Sequence, residues 1–232
     1  MTSTIKERGL LFKAPMVRAV QKGIKTQTRR LVKPQSAILT DQMARSLGVQ
    51  PPAQENQAVI PCPYGAPGDR LWVREAWRTG QSADPQSGAD LAGKGWPVFY
   101  EADGAVNWTG ATSGGLGFTT PGRYRQARFM PRWASRILLE VTEVRVERLQ
   151  DISEDDARAE GLSTVTKDGS LWKWGIPDAD GLPGTDDDGW HWCDWERSPV
   201  AAYRRLWESI HGPGSWDLNP WVRAVSFRRI EA

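Results

Sequence analysis

The sequence predicts a mixed α+β fold: a small, compact β-barrel with short helices at its periphery and long loop insertions. Three observations carry this. The apolar runs are short, of strand length, and lie close to turn residues. The helical stretches are brief and carry their own start and stop signals. Long stretches rich in Gly, Pro, Ser and Asp separate them. Strands do not alternate with long helices as a doubly wound sheet demands. The 232 residues are expected to form one domain, with insertions at about 34–67, 79–130 and 163–197.

Gly9-Leu10-Leu11-Phe12 reads as a first strand feeding a helix over Ala14–Lys22. Pro15 suits its first turn, Met16, Val17 and Val20 give it one apolar side, and Gly23 suits the position just past its end. Gly23-Ile24-Lys25-Thr26-Gln27-Thr28-Arg29-Arg30 follows, a basic cluster expected on a loop entering a strand. Residues 34–67 read as an insertion loop, with a helical turn around Asp41–Leu47. Gly68-Asp69 is a turn before a strand over Arg70–Trp77. Residues 79–95 read as loop. Val98-Phe99-Tyr100 is a short strand closed by Asp103-Gly104, a hairpin signal. Thr109–Gly122 reads as a flexible loop.

Arg136–Leu149 is the longest strand pattern. Its apolar phase slips by one residue between Val141 and Val144, which predicts a β-bulge around Thr142-Glu143. Ser153–Gly161 is a short helix with Ser153 as N-cap, acids in the first turn and Gly161 as the stop. Residues 163–197 form an insertion holding Trp172, Trp174, Trp190, Trp192 and Trp195. Ser198-Pro199 opens a helix with Val200, Tyr203, Leu206, Trp207 and Ile210 at helical spacing, ended by Gly212-Pro213. Trp221–Ile230 is the last strand.

The net charge of +2 does not by itself announce a nucleic-acid binder, but its distribution is uneven. Basic residues prevail over Lys6–Lys33 and Arg123–Arg136, and acids gather between Asp178 and Glu196, which permits a basic groove on a nearly neutral protein. The 13 Trp, against 5 Phe and 4 Tyr, suit both cores and base-stacking surfaces. Two cysteines define no disulfide framework. The N-terminus lacks a signal-peptide core and no apolar run approaches a membrane span. A soluble, cytoplasmic protein without a membrane partner is expected.

Four groups of residues invite chemistry. In the basic cluster, hydroxyls beside a lysine and two guanidiniums could bind phosphate or supply a nucleophile with its base. The plainer alternative is a solvated basic loop at a helix end. Glu160 closes its helix where the dipole disfavours a carboxylate, a local inconsistency of the kind that marks some functional sites. An ordinary exposed glutamate is the plainer alternative. Cys62, His191, Cys193 and His211 are zinc-type ligands without a C-x-x-C pair, so no metal site is expected. Asp178, Asp180, Asp186, Asp187 and Asp188 lack the EF-hand spacing and read as a solvated acidic loop. Arg123, Arg125, Arg128, Arg132 and Arg136, interleaved with Tyr124, Phe129 and Trp133, could grip a nucleic-acid backbone and stack bases. A solvated strand edge with core aromatics is the alternative there. No G-x-S-x-G elbow, Walker A loop, GxGxxG fingerprint or H-E-x-x-H is present.

These residues resemble the ASCH domain family of the PUA-like superfamily. The likeness rests on G-x-K-T-x-T-x-R, here Gly23, Lys25, Thr26, Thr28 and Arg30, and on the strand Gly68-Asp69-Arg70-Leu71-Trp72-Val73. The long strand, the acidic helix ending at Glu160 and the closing Val225-Ser226-Phe227-Arg228 extend it over roughly half the chain. The whole chain is also similar to larger phage- and prophage-encoded ASCH-like proteins, which share the blocks 15–19, 67–75 and 131–136.

The resemblance implies a small barrel with a cleft, tied to RNA or modified-nucleoside metabolism. One enzymatic branch hydrolyses the amide of N(4)-acetylcytidine with a lysine, a threonine and a glutamate, which fall here on Lys25, Thr28 and Glu160. Lys25 is then the general base, Thr28 the nucleophile or the group that positions water, and Glu160 the proton shuttle to the leaving amine. Thr26, Arg29, Arg30, Arg74 and Arg132 are the expected substrate contacts, and no cofactor or metal is called for. The expected partner is a modified nucleoside, RNA or DNA. That branch is far shorter than this chain, so the insertions could cap or reshape the cleft. A PUA-like RNA/DNA-binding module without catalysis, a metal-dependent ribonuclease and a host-factor binder acting through the Trp-rich insertion are the alternatives.

Overall fold

A computed structural model of the chain describes residues 4–33, 62–108, 119–186 and 188–231. The fold is mixed α+β. Its main sheet has the order β1-β3-β7-β10-β2, with β1 at Glu7–Leu11, β2 at Gln27–Leu31, β3 at Arg70–Arg74, β7 at Leu138–Arg148 and β10 at Trp221–Ile230. A second sheet holds β4 (Trp77–Arg78), β5 (Val98–Tyr100) and β6 (Val106–Asn107), and a hairpin pairs β8 (Ser163–Thr166) with β9 (Trp172–Gly175). The helices are α1 (Ala14–Gln21), α2 (Glu154–Ala159) and α3 (Pro199–His211). Among the described residues no helix is long and apolar enough to cross a membrane.

Alternation along the strands gives the main sheet two unlike faces. On one, Val141, Val225 and Phe227 pack with Phe12 and with Val17 and Val20 of α1. On the other, Val222 meets Ala157 of α2 and Tyr203 and Trp207 of α3. The pairing of β7 with β10 runs in register until Ser226 faces Glu143 and Phe227 faces Val141, which leaves Thr142 as the extra residue. This is the predicted bulge. It lets Val141 and Val144, three positions apart, serve the same core.

The predicted helix ends are also present. Gly23 (φ 72) follows α1, Gly161 (φ 100) follows α2 and Gly212 (φ 97) follows α3. The Ser153 hydroxyl accepts from Asp156 N at 3.1 Å, and Ser198 caps α3 in the same way. Asp103-Gly104 turns the β5–β6 hairpin, with Gly104 at φ 68.

Four expectations are corrected. Arg70–Trp77 is not one strand: the chain leaves the main sheet after Arg74 and enters the second at Trp77. The break falls at Glu75, whose buried carboxylate takes two hydrogen bonds from Arg136, both 2.9 Å. Residues 79–95 are not bare loop, because Gln81–Ala83 forms a 3-10 turn and Ala83 and Leu91 are buried, while the expected Val98–Tyr100 strand packs with Met130 and Ala134 around Trp77. The 163–197 insertion contains the β8–β9 hairpin, and Trp195 is buried so tightly against Gly175 that a Cβ there would sit 2.5 Å from the indole. Asp178 is buried, not solvated: its carboxylate accepts from Asp186 N at 3.1 Å and Gly189 N at 2.7 Å. The predicted turn at Asp41–Leu47, the insertion up to residue 61, residues 109–118 and Asp187 lie outside the described residues.

Candidate active site

The basic cluster is not a solvated loop. Ile24 N and Lys25 N both reach back to Ala19 O, at 2.9 and 3.1 Å, so the chain turns sharply out of α1. Thr26 N then bonds Ala159 O and Thr26 O accepts from Phe227 N, which fixes the segment between α2 and β10. Gln27 onwards is the edge strand β2, and Lys25 forms a lone antiparallel bridge with Glu160.

Lys25 and Glu160 meet across 135 residues. The Nζ–Oε2 distance is 3.0 Å, with side chains 3% and 4% exposed. The ammonium also donates to Glu160 O at 2.7 Å and Gln27 O at 2.8 Å, so all three of its N–H bonds are engaged. Burial holds the Lys25 pKa below the usual lysine value; Glu160 pulls it back up, and Arg30 and Arg29 push it further down. Glu160 is the residue that caps the C-terminus of α2, where the dipole opposes its charge. Lys25 and Arg29 offset that cost.

Arg29 is the other centre of the cluster. Its side chain, fully buried, pairs with Glu147 at 2.6 Å, Asp156 at 2.9 Å and Glu160 at 3.2 Å. Gln27 Oε1 accepts from it as well, and Arg145 completes the ring by pairing with Asp156 at 2.8 Å. Burial alone would lower the Arg29 pKa, but Glu160 and Glu147 outweigh it and hold it raised. For Asp156, burial acts upward, yet Arg29 and Arg145 hold the carboxyl below its usual value. Burial, with Glu160 adding to it, pushes the Tyr203 phenol well above its usual range.

Thr28 is buried and faces the other way, opposite Val225. Its hydroxyl makes no hydrogen bond with Lys25 or Glu160 among the described residues. Phe12 connects the two sides, lying 5.4 Å from Lys25 Nζ and 5.8 Å from Arg30 Cζ. Arg30 donates to Leu11 O at 2.8 Å, and Thr26 is exposed with its backbone fully used.

Neither pocket described around the sheet is roomy at this centre. The recess beside Ile24 and Gly161 holds about 10 Å³, whereas a cavity of about 230 Å³ lies in the second sheet between Leu91, Trp96, Val98 and Trp133. No family model, curated protein or solved structure matches the chain.

Two expected substrate contacts are not brought to Lys25. Arg74 donates to Arg128 O and lies 5.3 Å from the Trp72 ring, on the side of β3 away from Val73. Arg132 is exposed and pairs with Glu7 at 2.9 Å. The Arg123–Arg136 series divides. Arg125 is buried against Ala83 O and Gln86 O, and Arg136 is held between Glu75 and Asp103. Arg128 lies over exposed Phe129, by contrast, and Arg78 lies over exposed Tyr124. His191 Nδ1 and Cys193 Sγ are 3.0 Å apart, while Cys62 packs on the α1 side of the sheet. Among the described residues no three His, Cys, Asp or Glu are grouped to hold a metal ion.

Sequence reasoning missed Gln27, Arg145, Glu147 and Asp156 as members of the cluster. A signal existed: Glu143, Arg145 and Glu147 alternate with Val144 and Val146, marking one face of β7 as charged.

Proposed function

We propose that the chain is an ASCH-type amidohydrolase on a PUA-like barrel, removing an acyl group from a modified pyrimidine nucleoside such as N(4)-acetylcytidine, or from a related modified base. The observation that carries the reading is the buried contact of Lys25 with Glu160, two residues far apart in the chain and paired by the resemblance.

The pair as it stands is an ammonium and a carboxylate, and a saturated ammonium is no base. Transfer of one proton along the 3.0 Å hydrogen bond gives a neutral amine and a carboxylic acid. Burial favours the neutral amine, because it holds the Lys25 pKa below its usual value. The amine then accepts a proton of the attacking water, positioned by Thr28, as the new C–O bond forms. Glu160 gives its proton to the leaving exocyclic nitrogen as the C–N bond breaks, and recovers one from Lys25. With water attacking directly, one water is consumed, and acid and amine are released.

The test is acetate release from N(4)-acetylcytidine by the wild type and by Lys25→Ala, Thr28→Ala and Glu160→Gln, with folding checked by circular dichroism. Each change is expected to lower kcat/KM by about 100-fold or more. Equal turnover in all three sinks the reading.

A second reading, a nucleic-acid-binding module without catalysis, is favoured by one observation. Tyr124 and Phe129 are 53% and 62% exposed, and each carries a guanidinium over its ring. Such pairs suit base stacking beside a gripped backbone. It predicts RNA or DNA affinity that falls with salt, falls again in Phe129→Ala, and yields no deacylated product.

A further inference from the structure

Neighbouring arginines of β2 meet opposite surroundings. Arg29 faces α2 and α3 and engages three carboxylates. Arg30 faces the α1 side, and directly across from it on β10 stands Arg223. Glu143 and Glu147 of β7 pair with Ser226 and Val222, so alternation turns both toward α2 and α3. Arg30 and Arg223 share their side with Thr28, Val146 and Val225 instead. Arg223 is 3% exposed, yet neither its Nε nor its Nη2 has a hydrogen-bond partner, and the buried Nε of Arg30 has none either. Neither guanidinium pairs with a carboxylate among the described residues.

A buried cation without a counter-charge is strongly unfavourable, and each unmade N–H bond adds to the cost. The Nε and Nη2 hydrogens lie on one edge of the guanidinium, the edge that takes two oxygens of a phosphate at once. We propose that Arg223 and Arg30 form an oxyanion site across β2 and β10 whose ligand is a phosphate group. Thr28 lies two positions along β2 from Arg30 on the same side, about 7 Å away. On the hydrolase reading, on which this last step rests, the substrate is therefore a phosphorylated nucleoside or a polymer, not the free nucleoside.

The test is thermal melting of the full chain in sodium phosphate against sodium chloride of equal ionic strength, and with cytidine, cytidine 5′-monophosphate or a short oligonucleotide. Phosphate is expected to raise Tm where chloride and cytidine do not. A rise with the monophosphate points to a nucleotide and a rise with the oligonucleotide alone to a polymer backbone, and either supports the site. Arg223→Met is expected to melt above the wild type without phosphate and to gain nothing from it. A purely structural arginine gives the opposite: a lower Tm in the variant and no phosphate-specific rise in the wild type. Equal shifts in phosphate and chloride, or a full phosphate shift retained by Arg223→Met, overturn the proposal. If the variant does not fold, the wild-type comparison of phosphate with chloride still decides. Deacetylation without a phosphate-specific shift removes this inference and leaves the hydrolase; a phosphate shift without deacetylation does the reverse.

Discussion

At the scale of single residues, Arg29 holds together a charge cluster that cannot exist without it. Glu147, Asp156 and Glu160 converge on one buried guanidinium, so Arg29→Met leaves three carboxylates with one lysine and one partly exposed arginine between them. Removing one partner of a buried pair costs about 3–5 kcal/mol, and urea denaturation of Arg29→Met is expected to show a loss of that size. The pH dependence follows from the same group. The folded pKa of Asp156 lies below its unfolded value of about 3.9, so its contribution is complete above that value and is lost as pH falls through the folded one. Asp156→Asn is expected to flatten the acid limb of a stability–pH curve. Lys25 acts on the alkaline side. Its folded pKa is lowered, so between that value and about 10.4 the unfolded chain binds more protons and stability rises with pH. Lys25→Met is expected to lack that rise.

At the scale of elements, α2 exists to deliver Glu160, and the residue after it permits the delivery. Gly161 has φ +100, and a Cβ there would lie 3.0 Å from Lys25 Cβ and 3.2 Å from Ala19 Cβ. Strain and crowding therefore act together, and Gly161→Ala is expected to cost at least about 1 kcal/mol in a denaturant titration while lowering any Lys25-dependent turnover. Deleting Thr142 tests the other decisive element. It removes the bulge but keeps Val141 opposite Phe227 and Glu143 opposite Ser226 in unbroken alternation, so the deletion is expected to fold, with a midpoint in urea close to that of Thr142→Ala. What made these features legible is that each is written locally: Ser153 and Gly161 around α2, Asp103-Gly104 in a hairpin, a slipped apolar phase at Thr142. The burial of Lys25 and Arg29 was not legible, because their partners lie 135 and 118 residues away and a lone cation reads as exposed. The same holds for the break after Arg74. Arg70–Trp77 has a continuous strand pattern, and only the distant Arg136 makes Glu75 leave it. Glu160 and Lys25 were matched through family resemblance, not through any pattern that composition carries.

At the scale of the whole molecule, Arg136 helps to tie the second sheet to the main one. Arg136 pairs with Glu75 and Asp103 and lies 3.9 Å from the Tyr100 ring. Arg18 and Gln21 of α1 reach the same hairpin through Ala102 O at 2.9 Å and Asp103 at 3.0 Å. The helix that runs into Lys25 is thus tied to the second sheet. Arg136→Met leaves Glu75, 1% exposed, without its cation, and a loss of about 3 kcal/mol is expected. Burial already raises the Glu75 pKa against the pull of Arg136. Without that cation the folded pKa moves further up, so the variant binds a proton that the unfolded chain releases, and its stability falls as pH rises through that window. The gap between variant and wild type is therefore expected to narrow on acidification. Hydrogen exchange gives the spatial test. Residues 98–107 are expected to lose protection in Arg136→Met before the β7–β10 pair does, because the second sheet keeps its own small core around Trp77 while its tie to the main sheet is cut. Equal loss of protection in both regions would mean that the two sheets unfold as one unit and that Arg136 is not a joint between them.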